Sequence, residues 1–264
     1  MTEDYLYHYT NTETLALILS NKTIRFNSLN NVDDLQEQET SDVKNFGQYC
    51  FVSCWTDDAE ESIPMWKMYG NFTSGIRIKM KKYPFWERAT VPYLSEDGLE
   101  ENKTLITLKE MMDKKIVAAE DIVRQKDILF KVEYTTEQDK LYPKMLDYEA
   151  AHIALDKLGR YKNKGWEFQK EWRYRLLLLP IDMTDFDKKY VSVVRTIYKI
   201  LCEVPSMLPF TYYDIQIAKE AFSDMEIMLS PKISAGNRKI VETIVEKYNP
   251  KAKIVESSYA GLIA

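Results

Sequence analysis

Trp166–Pro180 reads WEFQKEWRYRLLLLP, a run in which acids, cations and aromatic rings give way to four leucines. It reads as a strand entering a core. Strand side chains alternate faces, so Gln169, Glu171, Arg173 and Arg175 fall on one side. Trp172, Tyr174, Leu176 and Leu178 fall on the other. The polar row is either an ordinary solvent face or the wall of a site, and the pattern alone favours the solvent face. Glu171 and Arg173 form a candidate same-face ion pair worth about 0.2–1 kcal/mol.

Outward from that strand, the chain alternates strand and helix signals. Tyr5–Tyr9 is a short aromatic strand, after which Thr10 or Asn11 caps a helix whose stripe is Leu15, Ile18 and Leu19. Thr23–Asn27, Gln48–Trp55 and the segment SGIRIKM read as strands. The polar loop SLNNVDDLQEQETSD is of the kind that lies over a cleft. Asp57 or Asp58 starts a helix that Pro64 bends and Gly70 ends. Two charged blocks, within residues 96–124 and 137–162, carry helical spacing, with the strand DILFKVEYT between them. After Pro180 come a helix over KKYVSVVRTIYKILCEV, strands in FTYYDIQIA and DMEIMLSP, an amphipathic helix in AGNRKIVETIVEKYN and a closing strand in AKIVESS. The expected class is α+β, one domain over residues 1–264, with a largely helical insertion at about 96–164.

Composition narrows the function. The 264 residues carry a net charge of −5 with 12% aromatics, which lacks the footprint of a general nucleic-acid binder. Lys79, Lys81 and Lys82 form one small basic cluster, read as solvated surface. The three cysteines, Cys50, Cys54 and Cys202, are too scattered for a disulfide framework or a zinc site. The N-terminal residues show no secretory pattern, and no apolar run approaches the roughly 20 residues of a membrane helix. The expectation is a soluble, cytoplasmic protein.

Only two histidines are present, so a zinc centre is not expected, and no spacing supports a Cys–His nucleophile. Asp33–Asp34 and Asp57–Asp58 are read as caps and surface rather than magnesium ligands. Phosphate-binding glycine loops and serine-hydrolase elbows are absent. What remains is a dispersed set: His8 between Tyr7 and Tyr9, Tyr69 with Trp66 one turn earlier, and Glu171 beside Arg173. Taken singly, each is more often structural than functional, and His152 is read as structural on a helix.

Four stretches carry a resemblance: LYHYTNTETLALILSNKTIRFNS, FVSCWTDDAEESIPMWKMYGNFTSGIRI, WEFQKEWRYRL and LSPKISAGNRKIVETIV. They resemble an uncharacterised bacterial domain family found among phage-defence and toxin-like genes. The chain departs from that family's Asn-Asp-Pro loop, reading NNVDDLQE instead, and has Gln169 where an acid is common. The layout is also similar to ADP-ribosyltransferases of the His–Tyr–Glu class, PARP-like and DarT-like enzymes. QKE at Gln169–Glu171 looks like the Gln/Glu-x-Glu turn of the related Arg–Ser–Glu class. The resemblance implies an ADP-ribosyltransferase-like fold of split mixed or antiparallel sheets with flanking helices.

By the same resemblance His8, Tyr69 and Glu171 take the catalytic places, with NAD as substrate and no metal. His8 and Thr10 or Ser53 would contact the nicotinamide riboside. Tyr69 would stack on the nicotinamide, with Trp66 or Trp55 helping. Arg173 would orient Glu171 or reach the pyrophosphate, and Gln169 would face the acceptor. The implied activity is transfer of ADP-ribose to a nucleic-acid base or protein side chain, by a toxin or anti-phage effector with an antitoxin as a possible partner. The alternatives are a non-catalytic ligand-sensing or protein-binding module of a defence system, and an NAD glycohydrolase.

Overall fold

In the computed structural model, the strand Glu171–Leu179 lies inside a mixed sheet, flanked on both edges by other strands. The structure describes residues 5–89, 93–95, 98–100, 103–118, 127–147, 152–182 and 208–263. Among these, ten strands form the main sheet. They are β1 (Tyr5–Asn11), β2 (Thr23–Ser28), β3 (Cys50–Thr56), β4 (Gly75–Lys81), β5 (Val117–Ala118), β6 (Leu129–Lys131), β7 (Glu171–Leu179), β8 (Tyr212–Gln216), β9 (Glu226–Leu229) and β10 (Lys253–Glu256). The order is β6-β7-β3-β1-β4-β9-β10, with β2 joining β3, β8 joining β2 and β5 joining β7. All of these pairs are antiparallel except β9 with β10.

The helices of the described residues are α1 (Thr12–Asn21), α2 (Ile63–Gly70), α3 (Leu108–Lys114), α4 (Gln138–Leu141), α5 (Lys219–Ser223) and α6 (Ala235–Tyr248). Asn11 caps α1, its side chain accepting from the Thr14 N–H. The stripe Leu15, Ile18 and Leu19 is buried, and α1 packs on α6. α2 starts later than the sequence suggests: Ser62 is its cap, and Pro64 sits in the first turn. A proline there displaces no intrahelical hydrogen bond, so it begins the helix instead of bending it. Gly70 ends α2 against the start of β4, where a Cβ would stand 2.5 Å from the Gly75 Cα. Only glycine allows that approach.

The expectation of a largely helical insertion over 96–164 is overturned among the described residues. Short ladders and turns stand in its place: Tyr93–Ser95 pairs with Gly98–Glu100, Leu146–Asp147 with His152–Ile153, and Glu133–Thr135 with Tyr161–Asn163. Among the described residues only α3, α4 and a single 3-10 turn at Leu155–Lys157 are helical there. His152, expected on a helix, lies in one of these two-residue strands. The cause is burial. Leu105, Ile106, Ile116, Ile128, Met145 and Leu158 all join the main core, and those contacts override a charged, helix-favouring composition. The helix expected over residues 188–204 lies outside the described residues, as does Cys202. No helix of the described residues is long and apolar enough to cross a membrane.

Candidate functional site

β1 and β3 meet through one register, Tyr7 opposite Thr56. By contrast β1 pairs with β4 along its whole length, and β3 pairs with β7 from Thr56 to Cys50. A cleft of about 370 Å³ occupies the gap this leaves, with Tyr7–Asn11 lining one side and Val52–Trp55 the other. β1 and β3 remain neighbours in one sheet, and residues of α1, β2, the loop after β2 and α2 complete the lining of the cleft. His8, Thr10, Ser53, Tyr69, Gln169, Glu171 and Arg173 all line this cleft, but Trp66 does not.

The polar row of β7 is not a solvent face. Glu171, Arg173 and Arg175 are all buried, Arg173 completely. The Arg173 guanidinium donates from Nε to Glu171 Oε1 at 2.5 Å and from Nη2 to Glu171 Oε2 at 3.1 Å. It also grips both oxygens of Glu37, and Nη1 donates to the Gly159 carbonyl at 2.9 Å. Gly159 presents that carbonyl from a left-handed backbone, φ +71°. Lys162 completes the cluster, with Nζ 3.1 Å from Glu37 Oε1 and 3.1 Å from Glu171 Oε2. Two carboxylates and two cations thus form a buried quartet against the cleft wall.

Its titration follows from these contacts. Burial opposes ionisation of Glu171, but the charges of Arg173 and Lys162 outweigh it and hold the carboxyl at about 2. Burial also works against the Lys162 charge, and Glu171 and Glu37 reverse that, raising its pKa. The neighbouring Cys54 thiol is pushed well up by burial and then by the Glu171 charge, so it stays protonated. Tyr134 adds a backbone restraint, its hydroxyl oxygen accepting the Glu171 N–H at 2.8 Å.

Arg175, expected at the surface or in an ion pair, is instead buried. Its Nη1 donates to the carbonyls of Asp156 and Leu158, and the guanidinium lies over the Phe130 ring. Arg173 is likewise unsuited to the pyrophosphate contact. Its Nε, Nη1 and Nη2 all donate within the protein. It holds Glu171 in place, which was the other expectation for it.

Tyr69 reaches the cleft from α2. The Gln169 amide Nε2 donates to its hydroxyl oxygen at 2.7 Å, and Asp33 lines the same cleft, near enough for its charge to act on the phenol. Burial, then the Asp33 charge, raises the Tyr69 pKa, so the phenol stays neutral. With Nε2 donating to Tyr69, Oε1 is the Gln169 atom left over. That oxygen is buried and has no hydrogen-bond partner. Met65, one turn before Tyr69, also lines the cleft. Trp66 turns away, packing edge-on against Tyr9 at 5.0 Å and donating its indole N–H to Glu61. The expectation that Trp66 contacts the nicotinamide is corrected: an i, i+3 offset leaves it on the core side of the helix, locking α2 to β1.

Trp55 takes the aromatic place beside His8, ring centroids 5.0 Å apart, and its indole N–H donates to Ser53 Oγ at 3.0 Å. His8 Nδ1 lies 2.8 Å from the Cys54 carbonyl, which fixes Nδ1 as the donor and Nε2 as the acceptor. Burial lowers the His8 pKa, and the Cys54 bond offsets this only in part. The ring is neutral at physiological pH. Thr10 is buried on the β1 wall.

Residues that sequence reasoning missed are Glu37, Lys162 and Asp33. Glu37 and Asp33 belong to the polar loop read as a cleft cover, where nothing separates an inward acid from its solvated neighbours. Asp34, by contrast, does cap, accepting from the Gln36 N–H. Lys162 sits in a stretch read as helix. No protein-family model, curated protein or solved structure matches the chain.

Proposed function

We propose that this protein cleaves the nicotinamide–ribose bond of NAD and transfers ADP-ribose to a nucleophile on a nucleic-acid base or protein side chain, as a toxin or anti-phage effector. The observation that carries the reading is the convergence of His8, Tyr69 and Glu171 on one cleft between β1 and β3. The bond from C1′ to the nicotinamide nitrogen breaks with its electron pair leaving on nicotinamide. The acceptor then bonds C1′ and gives its proton to solvent. Such a reaction passes through an oxocarbenium-like state. Glu171 is a carboxylate that stays ionised at any physiological pH, suited to stabilising that positive charge.

Tyr69 and Trp55 supply flat faces for the nicotinamide, and His8 Nε2 accepts from a ribose hydroxyl. The Gln169 carbonyl oxygen offers a second acceptor. For the diphosphate, Arg25 replaces Arg173. It lines the cleft outside the quartet, its side chain is about one-third exposed, and Asp214 and the Tyr212 ring hold it.

One observation favours a second reading, a ligand-sensing module that cleaves nothing. Both Glu171 oxygens already accept from Arg173 or Lys162, as a structural ion pair would. The test is to incubate the purified protein with NAD and follow nicotinamide release, with and without nucleic-acid and protein acceptors. Release that needs an acceptor and drops at least about 10²-fold in Glu171→Gln supports transfer. Release needing no acceptor points to a glycohydrolase, and NAD bound but intact points to the sensor. Equal release by Glu171→Gln sinks the mechanism.

A further inference from the structure

We infer that Glu37 is a positioning residue of this site, setting its charge so that a cation rather than an anion is the favoured occupant next to Glu171. The inference rests on the reading of the cleft as one that stabilises a developing positive charge on ribose. Glu171 alone would not make the site suited to that task. It faces two buried cations, Arg173 and Lys162, and with only one carboxylate between them the cluster would carry a net positive charge. Glu37 supplies the second carboxylate and brings the cluster to neutrality. All four side chains are at most 5% exposed, so neither water nor salt screens the balance.

Geometry supports the same assignment. Glu37 holds Nη1 and Nη2 of Arg173, which aims Nε and the other face of Nη2 at Glu171. Its own turn, Leu35–Gln38, is fixed at several points. Asp34 caps it, Gln36 Nε2 donates to the Tyr142 hydroxyl at 2.6 Å, and Asp42 accepts from the Met145 and Leu146 N–H groups. The polar loop thereby delivers one carboxylate to a defined place behind Glu171.

The experiment compares calorimetric binding of two ribose mimics, a protonated hydroxylated pyrrolidine and its neutral tetrahydrofuran counterpart. Wild type should prefer the cation. Glu37→Gln should lose about 10–50-fold in affinity for the cation and little for the neutral mimic. That range is the effect of one unit charge about 7–12 Å away at an effective dielectric near 20. Removing one cation with the anion, as Glu37→Gln with Lys162→Gln, should restore the preference, and Glu37→Asp should retain much of it. If Glu37→Gln does not fold, Lys162→Gln alone carries the test and should strengthen the preference for the cation.

A purely structural role would weaken both mimics alike. Equal losses, an unchanged preference in Lys162→Gln, or a wild type that shows no preference or binds neither mimic overturns the inference. Charge discrimination without nicotinamide release overturns the NAD reading alone. Nicotinamide release by Glu37→Gln at the wild-type kcat overturns this inference alone.

Discussion

Acid should unfold this protein partly through one carboxyl. Glu171 ordinarily titrates near 4.5 and is held at about 2 in the folded chain. Its folded value is depressed, so its stabilisation is complete above pH 4.5 and is lost as the pH falls toward 2. That interval corresponds to about 3 kcal/mol, of which about 2 is gone by pH 3. For a domain whose whole stability is about 5–15 kcal/mol, such a loss is large. The assay is urea unfolding of wild type and Glu171→Gln from pH 7 to pH 3. Other carboxyls titrate in both proteins and largely cancel in the difference. Breaking the buried pair should make the variant about 3 kcal/mol less stable at pH 7. That gap should narrow by about 2 kcal/mol at pH 3, because the unfolded wild-type chain, whose carboxyl titrates near 4.5, has then taken up the proton while the folded Glu171 is still largely ionised. A gap that stays constant with pH refutes the assignment of Glu171 to a charge-stabilised quartet.

Tyr69→Phe keeps the aromatic face but removes the hydroxyl that accepts from the Gln169 amide, leaving that buried amide unpaired. It should cost about 1–3 kcal/mol in urea unfolding, and an unchanged midpoint would show that the Gln169–Tyr69 bond is not formed. His8 should be a mainly neutral ring protonated on Nδ1 at pH 6.5, since burial lowers its pKa and the Cys54 carbonyl fixes the tautomer. Nitrogen NMR shifts read this directly, and a doubly protonated ring at pH 6.5 contradicts it.

Strands and helices with strong hydrophobic patterns were legible in the chain. The aromatic run at Tyr5, the stripe Leu15–Ile18–Leu19 and the leucines of β7 each state their element because one face, or both, is buried. Residues 96–164 were not, because their charged, helix-favouring sequence yields to isolated buried residues such as Ile106 and Ile116 in extended segments. The candidate site was half legible. His8, Tyr69 and Glu171 stand in recognisable strand and helix contexts, so a layout argument could group them. Glu37 and Lys162 could not be grouped with them: they come from a polar loop and a two-stranded ladder, and only three-dimensional closure brings them to Glu171. Alternation also misled on β7, since it separates two faces of a strand but does not say whether the polar face meets water or other charges.

That last ambiguity bears on why the charges are there at all. A buried quartet is weak evidence for stability, because well-packed apolar residues of similar volume often do as well or better. In β7 the leucines occupy Leu176–Leu179, deep in the core, while Glu171 and Arg173 occupy the end that lines the cleft. Arg175, farther in and absent from the lining, donates to two carbonyls and stacks on Phe130, as a structural arginine does. The Glu171–Arg173 ion pair, by contrast, stands at the cleft end and is balanced by a carboxylate brought from a separate loop, an arrangement that supports the proposed role in stabilising a positively charged reacting group. If the quartet were structural only, replacing Glu37, Lys162, Glu171 and Arg173 together by apolar residues should preserve folding and ligand binding alike. If it is the site's charge-setting element, such a variant should fold but lose both nicotinamide release and its discrimination between the charged and neutral ribose mimics.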